Sequence, residues 1–445
     1  MADRNPLTGE RLRPLVTVDP LLASAVVGLM AIGILFIFSS GINSTGVLVT
    51  TEYLKQLLWA GVALVVLVSF SYVNYNLLRD LSLWIYLVFL SLLVLTLLFG
   101  RVVNGAKAWI GIFGLGGQPS EFAKIATVLF LSRFLANKRS EIRDWKVFAQ
   151  AFLIVSIPMA LIIRQPDTGT TMVFIPIFLV MLFMAGARVR HVVYVAVTGI
   201  LTVFFALVPF VETIIYHETN GIGTLLTDPK VFLVLGGILA LIIGSALFGL
   251  RQFKQSIYYW LAYLFSILLI SFVLAYVLRS VLKDYQIMRF IVFLDPSIDP
   301  KGSGWNLIQS MTAIGSGGLF GKGFLLGTQS HYRFLPMQST DFIFSILGEE
   351  WGFFGGLLVF GFFSILILRL LYIAQVIKDN FGVLVVSGFV GMFVTHIFVN
   401  VGMTVGIMPV TGIPLYFLSY GGSSLIAGSL AIGVSMNIYS RRFRF

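Results

Sequence analysis

The chain reads as an all-α polytopic membrane protein of about twelve transmembrane helices. Three observations predict that class. Hydrophobic residues make up 58% of its 445 and aromatics 14%, against 11% charged, and the mean hydropathy is +0.97. Ordinary soluble domains are about 45–50% apolar. Leu21 to Ser39 and Val231 to Leu250 contain no Asp, Glu, Lys or Arg, and an uncharged run of roughly 18 or more residues marks a bilayer-crossing helix. The net charge of +11 is spread over short connections between apolar runs, which argues against nucleic acid as a partner and for a topology signal.

Taken in order, apolar segments fall at about 20–41, 52–73, 80–99, 119–137, 147–163, 169–186, 190–209, 231–250, 256–278, 341–373, 381–402 and 420–439. The first is too long for a signal-peptide core and no small-residue cleavage site follows it, so it is expected to be a retained helix. The lack of cysteine excludes disulfides and thiolate metal sites. A cytoplasmic N-terminus places Arg4, Arg11, Arg13, Arg79, Lys138, Arg139, Arg188, Arg190, Arg251, Arg369 and Arg441 inside, among 17 of the 30 Lys and Arg. That is the bias the positive-inside rule requires. Both termini are then cytoplasmic. The segment 279–340, between the ninth and tenth spans, becomes a large extracytoplasmic loop, and connections of that length usually carry function.

Three familiar chemistries do not fit. "GSGGLFGKG" at 315–323 looks like a phosphate loop, but Gly317 is one residue too close to Gly321 and Gly323 follows Lys322 where Ser or Thr is needed. His191, His217, His331 and His396 are scattered, with no HExxH spacing for zinc. No GxSxG elbow is present for a serine hydrolase.

Polar residues instead gather in four clusters on the expected outer side. In "NGAKAWIGIFGLGGQPSEFAK" (104–124), Trp109 suits either an interfacial belt or a ligand. Ser120 is placed to cap the helix that follows, and Glu121 and Lys124, three apart on one helix face, can neutralise each other. In "RQPDTGTT" (164–171), Asp167 suits a helix cap, or Arg164 and Asp167 face an aqueous cavity. The long loop carries Asp295, Asp299, Lys301, Gln309, Lys322, Gln329, Arg333 and Asp341. That mixture suits an anionic, hydroxyl-rich ligand. In "GIMPVTGIPLYFLSYGGSS" (406–424), which includes Ser419, Pro and Gly break the helical pattern. Irregular backbone at membrane depth is tolerated only where it is buried or lines a cavity.

These stretches, in this order, resemble the SEDS family (shape, elongation, division and sporulation), in its RodA-like branch. The motifs carrying the resemblance are "NGAKAWI…QPSEFAK", "QPDTGT", "FLDPSIDPKGSGWNLIQSMTAIGSGGLFGKG", "GTQSHYRFLP", "GEEWG" and "GMTVGIMPVTGIPL" with "SYGGSS". They cover about 19–210 and 279–439. Ala108 stands where the family has Arg, Met337 where it has Glu, Thr168 where it has Leu, and Tyr416 where it has Pro. The resemblance implies a ten-helix core in one transmembrane domain, 1–445, with an inserted helical pair around 211–255 in a peripheral contact role. It implies a peptidoglycan glycosyltransferase for cell elongation and shape, polymerising lipid II beside a class B penicillin-binding protein.

On that resemblance Asp299 matches the family's essential aspartate. In physical terms a sugar hydroxyl attacks an anomeric carbon as diphosphate departs, and a carboxylate beside the acceptor can take the proton. Diphosphate leaves readily, so one carboxylate suffices; Asp295 is then a supporting residue, and both aspartates also suit turn caps before proline. Arg101, Lys107, Lys301, Lys322 and Arg333 are candidates to stabilise the diphosphate, a divalent cation (Mg or Mn) being the alternative. The remaining expected substrate contacts are Trp109, Glu121, Lys124, Arg164, Asp167, Gln309, Gln329, Asp341 and Ser419. A lipid-anchored substrate also requires a groove open to the bilayer. Two other classes stay open, a polyprenyl-linked sugar flippase and a non-catalytic scaffold, although the sequence shows no internal repeat of the transporter kind.

Overall fold

The computed structural model describes residues 19–442 apart from 104, 113–114, 218–222, 224–225, 283 and 301. Arg4, Arg11, Arg13 and Lys301 therefore lie outside the described residues. The long helices are α1 Pro20–Ser40, α2 Glu52–Tyr72, α3 Tyr75–Phe99, α4 Pro119–Asn137, α5 Trp145–Arg164, α6 Thr168–Met184, α7 Val189–Ile214, α8 Pro229–Phe253 and α9 Ser256–Val281. Two shorter ones follow, α10 Asp284–Leu294 and α11 Ser303–Gly317, and then α12 Ile343–Val376, α13 Asn380–Thr404 and α14 Gly422–Ser440. Among the described residues a helix lies at each of the twelve expected spans. Ten are long and apolar enough to cross a membrane. Of the other two, α6 has 17 residues, and α4 carries Glu121, Lys124 and Arg133. The protein is a multi-pass helical membrane protein.

Helix starts follow local chemistry. Asp19, Asn74, Asp167, Asp228 and Asp379 each cap a helix by accepting backbone N–H groups, a contribution of about 1 kcal/mol apiece. Asn74 accepts from Asn76 N at 3.2 Å, so α3 starts at Tyr75 rather than near residue 80. At α4 the expected cap is corrected. Pro119 takes the first helical position and Gln118 the cap position, so Ser120 lies buried inside the first turn. Proline suits that position because its missing N–H would be unpaired there anyway.

Two compact units divide the chain. The first holds residues up to Ala187, Gln309–Val405 and Thr411 onward. Its core is α13 and α14, each 78% buried over its most apolar stretch. Around them α2 packs on α14, α6 on α13, α3 on α4, and α1 on α12. The second unit, Arg188–Ile308 with Gly406–Val410, holds α7 to α10. Within it α9 packs against both α7 and α8, while α8 is only 6% buried and so lies at the periphery. The segment 211–255 contains the end of α7 and the whole of α8, whose hairpin partner is α9. The boundary between units falls inside α11, so the segment 279–340 is shared between two units and is largely helical.

Two details were not anticipated from the sequence. Between α3 and α4 lies a small antiparallel sheet, β1 Arg101–Val103, β2 Ala106–Ile112 and β3 Leu115–Gly117, in the order β1-β2-β3. Gly105, at φ 83°, lets the chain reverse between β1 and β2. The second detail is a break in α12 at Gly352, whose φ of 64° no helix accommodates. The glycine run 315–323 repairs it. Lys322 N and Gly323 N donate to the Glu349 and Glu350 carbonyls at 3.0 Å each, and Phe353 N donates to Gly318 O at 2.9 Å. A Cβ on Gly352 or Gly321 would strike the opposing backbone. The apparent phosphate loop is thus a backbone patch on a broken membrane helix, which supplies partners that lipid cannot.

Candidate active site

In the second unit α10 runs directly into the turn that carries the two aspartates. Asp295 N closes on Ile291 O at 2.9 Å, and its carboxylate accepts from Ser297 Oγ at 2.6 Å and Ser297 N at 2.9 Å, capping the short 3-10 turn Pro296–Ile298. Those Ser297 hydrogen bonds, hydroxyl first, hold the Asp295 carboxyl below its ordinary value. Asp295 therefore holds the turn. Asp299 ends it at φ −127°, ψ 67°, and its carbonyl accepts from Gly304 N at 3.1 Å and Gly302 N at 3.3 Å. Its half-buried carboxylate folds back over Gly302, where an added Cβ would collide with Oδ2 and lie 2.7 Å from Oδ1. Gly304 is needed too, because a Cβ there would sit 2.5 Å from Asp299 O. The pattern Asp-Pro-Lys-Gly-Ser-Gly is thus what places this carboxylate.

In the first unit, charged and polar groups from α4 and α13 meet the irregular segment 411–421. Lys124 Nζ lies 2.7 Å from Glu121 Oε1, with side chains 0% and 2% exposed. The second Glu121 oxygen accepts from Tyr416 Oη at 2.8 Å. His396 Nε2 is 2.9 Å from Lys124 Nζ and its Nδ1 is 2.8 Å from Pro414 O. A charged Lys124 can only donate, so this is the neutral imidazole with its proton on Nδ1. Asn400 Nδ2 donates to Ile413 O at 2.7 Å and to Asp341 O at 3.0 Å. Asp341 Oδ2 faces Gly412, 3.4 Å from where a Cβ would stand. At the head of α6, Asp167 accepts from Gln118 Nε2 at 2.8 Å, Thr170 Oγ1 at 2.8 Å and Thr170 N at 3.0 Å. Burial pushes the Asp167 carboxyl above its ordinary range, against the Thr170 hydrogen bonds that lower it.

Other expected site residues are occupied by the fold. Ser419 Oγ accepts from Leu415 N at 2.9 Å, and its carbonyl accepts from Gln56 Nε2 at 3.2 Å, so it braces the 415–419 turn. Lys107 Nζ donates to Leu98 O at 3.0 Å, covering a carbonyl at the end of α3. Lys322 Nζ reaches Glu349 Oε1 at 2.8 Å and Thr328 Oγ1 at 2.7 Å. The same Glu349 oxygen accepts from Thr328 N and Gln329 N at 2.8 and 2.9 Å. Gln329 thereby lies beside a carboxylate, with its own Oε1 buried. Arg101 in β1, Arg164 at the end of α5 and Arg333 are exposed. Trp109 pairs across the sheet with Arg101 and covers Gly116; Gln309 is half-buried on α11. Among the described residues no group of three or more His, Asp or Glu could hold a metal.

Sequence reasoning missed His396, Tyr416, Asn400, Glu349 and Glu350. One signal was available for His396: a lone titratable residue in an otherwise apolar span is expected to face a partner inside the protein.

Fold and site together define a multi-pass helical membrane protein with a buried ion pair, Glu121 and Lys124, in α4. Its family follows from comparison with known proteins. The family model described as cell cycle protein, FtsW/RodA/SpoVE, matches residues 20–223 and 233–443, and the chain belongs to that family. The chain is 47% identical over 437 residues to peptidoglycan glycosyltransferase RodA of Treponema pallidum (strain Nichols), covering 97% of this chain and 100% of the relative. It is 30% identical over 427 residues to peptidoglycan glycosyltransferase MrdB of Escherichia coli (strain K12), covering 96% and 95%. A chain in a solved peptidoglycan synthase complex that coordinates polymerization and crosslinking aligns with a TM-score of 0.65 at 25% identity, covering 96% and 99%. Thermus thermophilus RodA aligns with a TM-score of 0.61 at 24% identity, covering 97% and 99%, which speaks to the fold.

Proposed function

We propose that this protein is a peptidoglycan glycosyltransferase that polymerises lipid II into glycan strands at the outer face of the cytoplasmic membrane, with both termini in the cytoplasm. The observation that carries the proposal is the 47% identity, over the full length of the relative, to a peptidoglycan glycosyltransferase. Asp299 is the general base. It takes the proton from the attacking sugar hydroxyl while the anomeric carbon–oxygen bond to diphosphate breaks, a role that contributes about 10²–10⁴-fold in rate. Asp295 is tied to Ser297 and holds the turn, and the Asp299 carboxylate lies over Gly302.

The developing diphosphate charge falls to basic side chains. Arg101, Arg164 and Arg333 are the exposed ones, while Lys107, Lys124 and Lys322 are engaged within the protein. A magnesium or manganese ion would be held by substrate phosphate oxygens with at most Asp299 and Asp295, the sparse donor set typical of such ions. The buried network around Lys124 fixes segment 411–421 within the first unit. Members of the family act beside a class B penicillin-binding protein, and the likeness to a chain of a synthase complex supports such a partner here.

The test uses the full chain purified with its transpeptidase and labelled lipid II. Wild type is expected to form glycan polymer, and Asp299→Ala to form it at least about 100-fold more slowly. Equal polymer from both would remove Asp299 from the chemistry. Polymer from neither, with folded wild type, would favour transport or scaffolding.

A further inference from the structure

In the second unit, away from the aspartate turn, α7, α9 and α10 enclose a cavity of about 460 Å³. Cavities of roughly 300–1,000 Å³ are the size that holds small ligands. Its walls are largely apolar, from Phe210, Thr213, Ile287 and Met288, and two opposite charges face it, Arg279 and Asp284. Arg279 sits in the last turn of α9, and its Nε reaches Ala275 O at 3.4 Å. Its Nη1 and Nη2 are buried and, among the described residues, have no hydrogen-bond partner. Asp284, at the start of α10, is exposed at the rim, and among the described residues it forms no ion pair with Arg279. A buried guanidinium without an anion is costly, and residues so placed are expected to meet one. In the turns before Arg279, α9 exposes Val273, Tyr276 and Val277, apolar surface of the kind acyl chains cover.

We propose that this cavity binds the headgroup of a zwitterionic phospholipid, its phosphate on Arg279 and its ammonium toward Asp284. Arginine presents paired N–H donors that match a phosphate. A carboxylate across the same cavity, with no ion pair among the described residues, favours an ethanolamine headgroup over a purely anionic one. Helix α10 runs from this cavity to Asp295, so an occupied headgroup site would brace the helix that delivers the aspartate turn.

The test is native mass spectrometry of the delipidated full-length protein. It is offered phosphatidylethanolamine, phosphatidylglycerol or, in a separate arm, inorganic phosphate. Wild type is expected to retain phosphatidylethanolamine several-fold better than phosphatidylglycerol and to ignore inorganic phosphate. Arg279→Gln should lose at least about tenfold in retention of either lipid, the value of one charge-assisted hydrogen bond or more. Asp284→Asn should keep lipid binding and lose the preference between headgroups. Thr213→Trp, which fills the cavity and leaves the arginine in place, should reproduce the loss and serves if Arg279→Gln does not fold. Unchanged retention in Arg279→Gln or in Thr213→Trp would overturn the proposal. So would inorganic phosphate binding as firmly as lipid, which would make this a free-phosphate site.

Discussion

Replacing Lys124 with Met removes an ammonium and little else, because the two side chains are similar in length. In the wild-type interior Nζ lies 2.7 Å from Glu121 Oε1, and both side chains are sealed from solvent. The variant strands the Glu121 carboxylate with Tyr416 Oη on one oxygen and no ammonium on the other. Removing one partner of a buried pair costs about 3–5 kcal/mol, most of it the penalty of an uncompensated charge. A second change, Glu121→Gln, neutralises that charge and leaves imperfectly paired polar groups, worth about 1–3 kcal/mol. The double variant is therefore expected to recover about 2 kcal/mol relative to Lys124→Met, the difference between those two ranges. The assay is the melting of full-length protein in detergent, followed by fluorescence-detected size exclusion. The expected order of stability is wild type, then the double variant, then Lys124→Met. If Lys124→Met melts with wild type, or the double variant melts below it, Lys124 and Glu121 do not neutralise one another in a dry interior and the reasoning fails.

Three further outcomes are expected alongside the loss of polymerisation in Asp299→Ala. Gly302→Ala should leave melting unchanged, since Gly302 is exposed, while slowing polymerisation by about 10-fold or more, because its Cβ displaces the Asp299 carboxylate; unchanged turnover would show that this placement is immaterial. Tyr416→Phe keeps the ring contacts with Phe393 and His396, at 5.2 and 4.3 Å between centroids, and loses only the hydroxyl that Glu121 accepts from. It should cost about 1.5–3 kcal/mol, read as a lowered melting temperature. Asp167, raised by burial, should give a pH dependence of stability. A raised folded-state value favours the protonated form, so its contribution is complete below the ordinary carboxylate value and is lost as pH rises through the raised one. Asp167→Asn should flatten that part of the melting profile, and an unchanged profile would place the titration elsewhere.

The parts of the fold that were readable from the chain are those set by neighbours in sequence. Uncharged runs located the spans, Asp167 was readable as the cap of α6, and the three-residue spacing of Glu121 and Lys124 foretold their contact. The turn through Asp295 and Asp299 is local as well, held by Ser297, Gly302 and Gly304. Where the reading stopped short, the partner came from far along the chain. His396 and Tyr416 reach Lys124 and Glu121 across separations of 272 and 295 residues. The glycine run 315–323 found its purpose on the backbone of α12, and Lys107, Lys322 and Ser419, expected at a ligand, are engaged with Leu98, Glu349 and Leu415. Capping, helical spacing and hydropathy act over a few residues and can be read directly from the order of side chains. Which buried charge meets which depends on how helices pack, and in a medium without water every polar group must find its partner through that packing.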